Sequence, residues 1–235
     1  MKYMVNKELS VIIPAYLEEE NLRIILPRLS ATLKEISDSC EVLVVDTVKA
    51  MDNTKKVCEE NGVTCINRLN GNNYGDAIRT GIDCANGTYT IFMDADGSHA
   101  PEFIKNLYEN KENQDVVIAS RYVEGGNTDN SKLLILMSRV VNVLYSLVFN
   151  IKCKDISNSF KLYKTADLKD LKLRCDNFDV VEEIIFKLKK KKGNLRVKEL
   201  PFLFKKRMFG STKRNLFLFM LSYIITLIKL RFINK

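Results

Sequence analysis

The six cysteines (Cys40, Cys58, Cys65, Cys84, Cys153 and Cys175) show no CxxC spacing, and His99 is the only histidine. The usual zinc patterns and a disulfide scaffold are therefore excluded, and reduced thiols are expected. The longest apolar run, over 216–228, is 13 residues interrupted by Ser222, Tyr223 and Thr226 and closed by Lys229. A bilayer-spanning helix needs roughly 20, so this run is expected to lie on a membrane rather than cross it. Met1 to Glu8 carry no apolar stretch before the first strand-like run, so a secretory signal is not expected. Only 10 glycines and 4 prolines occur in 235 residues, of which 46% are hydrophobic. Collagen and disorder are excluded, and a real core is expected. Acidic residues are scarce in one place: residues 187–235 hold one acidic side chain, Glu199, against 15 basic, a net of +14. Residues 1–186 hold 28 acidic and 22 basic, a net of −6, so the overall +8 joins two unlike parts.

What is present is an alternation of strand and helix signals. Ser10 to Pro14, Glu41 to Asp46, Val63 to Arg68, Tyr89 to Asp94 and Asp115 to Ser120 read as buried strands. Helical patterns over 19–37, 52–61, 74–86 and 101–110 lie between them, giving an α/β fold with a mostly parallel sheet flanked by helices. Beyond Gly125 and Gly126 come a long apolar helix over 131–150, a polar segment over 153–164, a helix over 179–192 and a strand over 195–204. A last amphipathic helix is expected over 215–232. No internal repeat or linker interrupts the chain. Ligands of such sheets bind beyond the carboxyl ends of the strands, where Tyr16, Glu18, Asp46, Asp94 and Asp96 collect.

The sharpest element is Asp94-Ala95-Asp96 at the end of a buried strand. Residues i and i+2 of a strand point the same way, so both carboxylates can face one hard cation, Mg²⁺ or Mn²⁺. Such an ion neutralises a diphosphate leaving group. The bland alternative is a pair of solvated turn aspartates.

Neighbouring motifs favour the first reading. Ser10 to Glu18 (SVIIPAYLE), Val45-Asp46, Gly71 to Gly81 (GNNYGDAIRTG) and the Asp94-Ala95-Asp96 strand together resemble the family 2 glycosyltransferases with their GT-A fold. Asp94 to Glu102 (DADGSHAPE), Ser120 to Gly126, Ser138 to Asn142, Asp155 to Phe160 and Arg207 to Lys213 are similar to successive signatures of the dolichyl-phosphate mannose synthases and related polyprenyl-phosphate glycosyltransferases. The resemblance covers about residues 9–213. It implies donor binding by Pro14, Tyr16, Glu18, Asp46, Asp94, Ala95 and Asp96, with Asp94 and Asp96 as metal ligands. It also implies a phosphate cluster of Arg121, Arg139, Arg207 and Lys213, with Asp96, Asp155 and Arg121 in the catalytic set. Asp155 is the candidate for positioning the acceptor or acting as base. The physics agrees, because a donor diphosphate and an acceptor phosphate in one cleft repel unless a metal and several cations offset them.

The implied reaction is direct displacement at the anomeric carbon, with inversion, from a GDP- or UDP-sugar to a polyprenyl phosphate. An ionised phosphate acceptor needs no strong base, whereas a hydroxyl acceptor does. The chain departs from the family pattern at Thr47, where a second aspartate is usual, and at Leu17, where asparagine is common. Asn158, Ser159 and Lys161 replace the usual Ser, Gly and Arg of the acceptor-side motif. His99, in a Ser-His-x-Pro-Glu turn, reads as a packing or turn residue. The basic stretch before Leu216 to Leu221 suits an anionic membrane surface rather than nucleic acid, for which no module is recognisable.

The expectation is thus a GT-A domain over 1–213 and a membrane-associating helix over 214–235, cytoplasmic and peripheral to a membrane. Its partners would be a nucleotide sugar and a polyprenyl-phosphate lipid. Two alternatives stand beside it: transfer to a hydroxyl of a glycan or glycolipid, and a silent nucleotide-sugar or membrane-binding protein.

Overall fold

Val11, Ile12 and Ile13 follow one another without a polar break, and all three are fully buried, the pattern of a central parallel strand covered on both faces. The computed structural model describes residues 7–209, 225–227 and 229–230. Its first half runs β1 (Lys7–Pro14), α1 (Glu19–Ile36), β2 (Cys40–Asp46), α2 (Thr54–Glu60), β3 (Thr64–Asn67), α3 (Tyr74–Cys84), β4 (Gly87–Phe92), α4 (Phe103–Glu109) and β5 (Val116–Ser120). The remainder runs β6 (Asn127–Thr128), α5 (Lys132–Phe149), β7 (Lys161–Lys164), α6 (Thr165–Lys169), α7 (Val180–Lys192), β8 (Val197–Pro201) and β9 (Leu203–Phe204).

Seven strands form one sheet in the order β3-β2-β1-β4-β7-β5-β8, and β6 pairs with β9 in a small second sheet. The sheet is parallel except at β7, which runs antiparallel to both β4 and β5. The expected α/β class and mostly parallel sheet are therefore present. β7 and α6 fall in and just after the stretch read as a polar segment, and the strand expected over 195–204 is divided into β8 and β9.

One apolar layer packs α1, α2 and α4 on the sheet through Leu22, Leu26, Val57 and Leu107. The opposite layer joins α3, α5 and α7 through Ile78, Tyr145 and Ile184. Gly81 permits the close approach of α3 to β1, because a Cβ there would lie 2.4 Å from a methyl of Ile12. α3 begins in a capping box in which Asn73 and Asp76 satisfy each other's backbone N–H groups. These devices fix the loops at the carboxyl edge, where β1, β2 and β4 all end.

α5 is long and apolar enough to cross a membrane by length and composition. Most of the run over 216–228 singled out from the sequence lies outside the described residues. One face of α5 packs inward through Val141, Asn142, Tyr145 and Phe149. The other leaves Leu133, Leu136, Val140, Val143, Leu144 and Leu147 exposed. Lys213 lies outside the described residues, as does most of the helix expected over 214–235. Of its described positions, Thr226 donates to Asp179 Oδ2 at 2.7 Å, and Leu230 is buried in the layer that holds α7.

Candidate functional site

Asp94 and Asp96 follow the end of β4, in a turn closed by Gly97 at φ 82°. Glycine suits this left-handed position, and a Cβ would also lie 2.5 Å from the Met208 side chain. Asp94 Oδ1 accepts from the Tyr74 hydroxyl at 3.2 Å and Oδ2 from Ser159 Oγ at 3.1 Å. Tyr74 is held by stacking on Phe178, centroid to centroid 3.9 Å. Asp96 Oδ1 accepts from both the backbone N–H and the hydroxyl of Ser98, at 3.0 and 2.6 Å. The two side chains keep 21% and 26% of their exposure, so both carboxylates are reachable from the cleft. As hard oxygen donors they fit Mg²⁺ or Mn²⁺. Among the described residues, no group of three or more His, Cys, Asp and Glu side chains forms a complete metal cage.

A strap from the far end of the chain crosses this turn. Lys205 N–H donates to Ser98 O at 3.2 Å and Met208 N–H to the Asp96 carbonyl at 2.9 Å. Between them Arg207 donates to Glu18 Oε1 at 2.5 Å, and its Nε faces Asp96 Oδ2 at 3.8 Å. That Nε is buried and makes no hydrogen bond among the described residues, so a buried cationic donor is left beside the carboxylate pair, as an anion site requires. Asn21 completes the junction, donating to Glu18 Oε2 and accepting from Phe209 N–H. Burial pushes the Glu18 carboxyl above its usual range, against the opposing pull of Asn21 and Arg207.

The residues expected to bind a donor, at the ends of β1 and β2, divide into exposed and buried. Pro14 and Ala95 are buried, and Tyr16 is exposed at the cleft edge. Asp46 is almost entirely buried, and that burial raises its pKa. Thr47 is turned inward, its hydroxyl donating to Lys49 O at 2.7 Å, so it offers the cleft no substitute for the missing carboxylate. Leu17 has φ 57°, the left-handed region in which asparagine is tolerated and a leucine is strained. Arg68, absent from the sequence expectations, is buried under this loop and donates to the carbonyls of Ala15 and Asn72. Its position between two Gly- and Asn-rich turns leaves no periodic signal.

Arg121 grips the fully buried Asp155, and its guanidinium also donates to Ser157 Oγ at 3.1 Å. Ser157 N–H donates to Asn142 Oδ1 at 2.8 Å, while Asn142 Nδ2 donates to Ser157 Oγ at 3.0 Å, so α5 is tied directly to this loop. Arg139 lies on exposed α5 with its guanidinium 5.3 Å from the Tyr122 ring, and Arg121 lies 5.0 Å from the same ring. Of the four cations expected as one set, Arg207 lies beside Asp96, Arg121 and Arg139 lie against Tyr122, and Lys213 is outside the described residues.

Residues 10–172 match the family described as Glycosyl transferase family 2. The chain is 31% identical over 218 residues to a dolichol-phosphate mannosyltransferase of Pyrococcus furiosus, covering 88% of this chain and 59% of that protein. It therefore spans about three fifths of that relative's length. It is 28% identical over 216 residues to the polyprenol monophosphomannose synthase of Mycolicibacterium smegmatis, covering 87% of this chain and 80% of the relative. Among solved structures, glucosyl-3-phosphoglycerate synthase of Mycobacterium tuberculosis, crystallised with Mn²⁺, UDP and glucosyl-3-phosphoglycerate, superposes with a TM-score of 0.74. That match covers 96% of this chain and 80% of the other at 16% identity, a likeness of fold alone.

Proposed function

The chain belongs to Glycosyl transferase family 2, and from that premise we propose that it transfers a sugar, with inversion, from a nucleotide-sugar donor to the phosphate of a polyprenyl phosphate at a membrane surface. The observation that carries the choice of acceptor is the engagement of Asp155. A hydroxyl acceptor needs a carboxylate to take its proton. Asp155, the candidate base, is fully buried and already accepts three hydrogen bonds from Arg121. An ionised phosphate acceptor makes no such demand, and a phosphate is what the names of the two curated relatives supply.

Asp94 and Asp96 would hold Mg²⁺ or Mn²⁺, which when bound supplies positive charge to the diphosphate leaving group. Tyr74 and Ser159 orient the Asp94 carboxylate, and Ser98 orients that of Asp96. Arg207 adds a fixed cation on the donor side, held against Glu18. Asp155 acts on this reading as a positioning carboxylate that fixes the Arg121 fork next to the acceptor side.

The exposed apolar stripe of α5 supports a bilayer as the acceptor's location. Residues 130–154 contain Lys132, Arg139, Lys152 and Lys154 and no acidic residue, so cations flank the stripe as anionic headgroups require. The ties of Asn142 to Ser157 hold this helix on the domain, which suits lying in the interface rather than spanning it. Incubation with GDP- or UDP-sugars, Mn²⁺ and polyprenyl phosphate is expected to yield a lipid-linked sugar, lost on chelation and in Asp96→Ala. A product formed only on glycan hydroxyls overturns the acceptor assignment, and undiminished chelator-resistant activity overturns the metal assignment.

A further inference from the structure

Just after β4 the chain leaves the sheet, and the backbone N–H of Asp94 is taken up by a side chain: it donates to His99 Nδ1 at 2.9 Å. An imidazole that accepts at Nδ1 carries its proton at Nε2. Nε2 faces the Asp94 carboxylate, 3.8 Å from Oδ2, with the Asn158 side chain also placed to accept from the ring. One ring thus addresses both the backbone and the carboxylate of the same residue. The ring itself has little freedom. It is fully buried, stacked on Phe160 at 4.6 Å with planes 10° apart, and flanked edge-on by Phe202 and Phe204 at 6.2 and 5.6 Å. A site filled by four aromatic rings would accept phenylalanine on packing grounds alone, so the ring nitrogens need another reason.

We propose that His99 is a positioning residue for the cation site: by accepting from the Asp94 N–H at Nδ1, it fixes Asp94 in the orientation that binds a divalent cation. Metal-binding side chains depend on such outer partners, whose loss typically weakens metal affinity by about 10- to 100-fold. The inference rests on the reading of Asp94 and Asp96 as metal ligands, and its test separates the two.

The measurement is Mn²⁺ binding to the full chain, with and without UDP or GDP, followed by the electron paramagnetic resonance signal of free Mn²⁺, alongside the melting temperature. His99→Phe keeps the ring stack and the volume but has no acceptor, whereas His99→Asn keeps an acceptor near the Nδ1 position and loses the ring. Positioning is supported if His99→Phe weakens Mn²⁺ binding about tenfold or more while His99→Asn stays within about threefold of the unaltered chain, even with a lower melting temperature. The opposite order, with His99→Phe binding like the unaltered chain and His99→Asn poorly, means that the histidine only packs and overturns the proposal. Should His99→Phe fail to fold, His99→Asn is compared with His99→Ala, which differ in the acceptor. Equal Mn²⁺ affinity in that pair overturns the proposal, and tighter binding by the asparagine variant supports it. Asp96→Asn sets the baseline: an unaltered chain that binds no more Mn²⁺ than this variant overturns the metal reading, and the positioning role with it.

Discussion

Arg121 and Asp155 form a two-pronged ion pair, Nε to Oδ2 at 2.8 Å and Nη2 to Oδ1 at 2.6 Å, with the Arg121 backbone N–H adding a third bond at 2.8 Å. Both side chains are removed from water, the aspartate completely and the arginine to 10% exposure. Breaking one partner of such a pair leaves an uncompensated buried charge, which costs about 3–5 kcal/mol. Asp155→Asn is therefore expected to lower the urea midpoint strongly. An aspartate acting only as a base would lose activity with its midpoint unchanged. Arg121→Lys should be nearly as damaging, because an ammonium cannot reproduce the fork.

Leu17 gives a prediction of opposite sign. A left-handed conformation costs a non-glycine residue about 1–2 kcal/mol, and asparagine escapes part of that cost. Leu17→Asn is expected to stabilise the chain by roughly 0.5–1 kcal/mol, and Leu17→Gly by a similar amount, read as a rise of about 1–4 °C in melting temperature. A fall in melting temperature for both would show that the leucine side chain is held by contacts that outweigh its backbone strain.

Asp115 ties β5 to the end of α7. Its carboxylate accepts from Lys192 Nζ at 3.0 Å, the Arg196 backbone N–H at 2.9 Å and the Arg196 guanidinium at 3.2 Å. Burial pushes its pKa up, but these bonds outweigh burial and bring it down to about 2. A carboxyl depressed in the folded state contributes stability that is present above its ordinary value near 3.8 and lost as pH falls toward 2. Asp115→Asn should thus cost about 1–2 kcal/mol at pH 7 and almost nothing near pH 2. Denaturant curves of the two proteins at several pH values measure the convergence.

The α5 stripe is exposed, so altering it should leave folding almost untouched. Leu136→Glu with Leu147→Glu is expected to change stability by no more than about 0.5 kcal/mol per site. Each buried leucine is worth roughly 1.5–3 kcal/mol of partitioning, so co-sedimentation with anionic vesicles should weaken by far more than tenfold. Unchanged vesicle binding would move the membrane contact elsewhere.

Much of the sheet was legible because its strands are buried on both faces and read as unbroken apolar runs, β1 and β2 most clearly. The Asp94-Ala95-Asp96 turn was legible for the same reason, since it ends such a run. β7 was not. Its sequence, Lys-Leu-Tyr-Lys, sets only two apolar residues between lysines and reads as a solvated segment, yet Lys161 is fully buried and donates to the carbonyls of Ile156 and Asn158. Burial lowers its pKa to about 8 and raises that of the equally buried Glu182 to about 8. No local pattern announces a charge that supports a loop from beneath. Asp155 shows the complementary failure: its type and motif were visible, but its commitment to Arg121, 34 positions away, was not. Arg207 was legible as a cation and not as the keystone between Glu18 and the turn.

That bridge has a consequence for synthesis. Glu18 and Arg207 are 189 positions apart, so this bridge cannot form until the whole described sheet has been made and the strap has emerged from the ribosome. Chains are made at about 5–20 residues per second and fold from the N-terminus. For roughly ten seconds or longer, Glu18 exists without the arginine that pairs with it. A nascent or truncated chain ending before Arg207 is consequently an assembled sheet whose Asp94-Ala95-Asp96 turn lacks its bridge to Glu18.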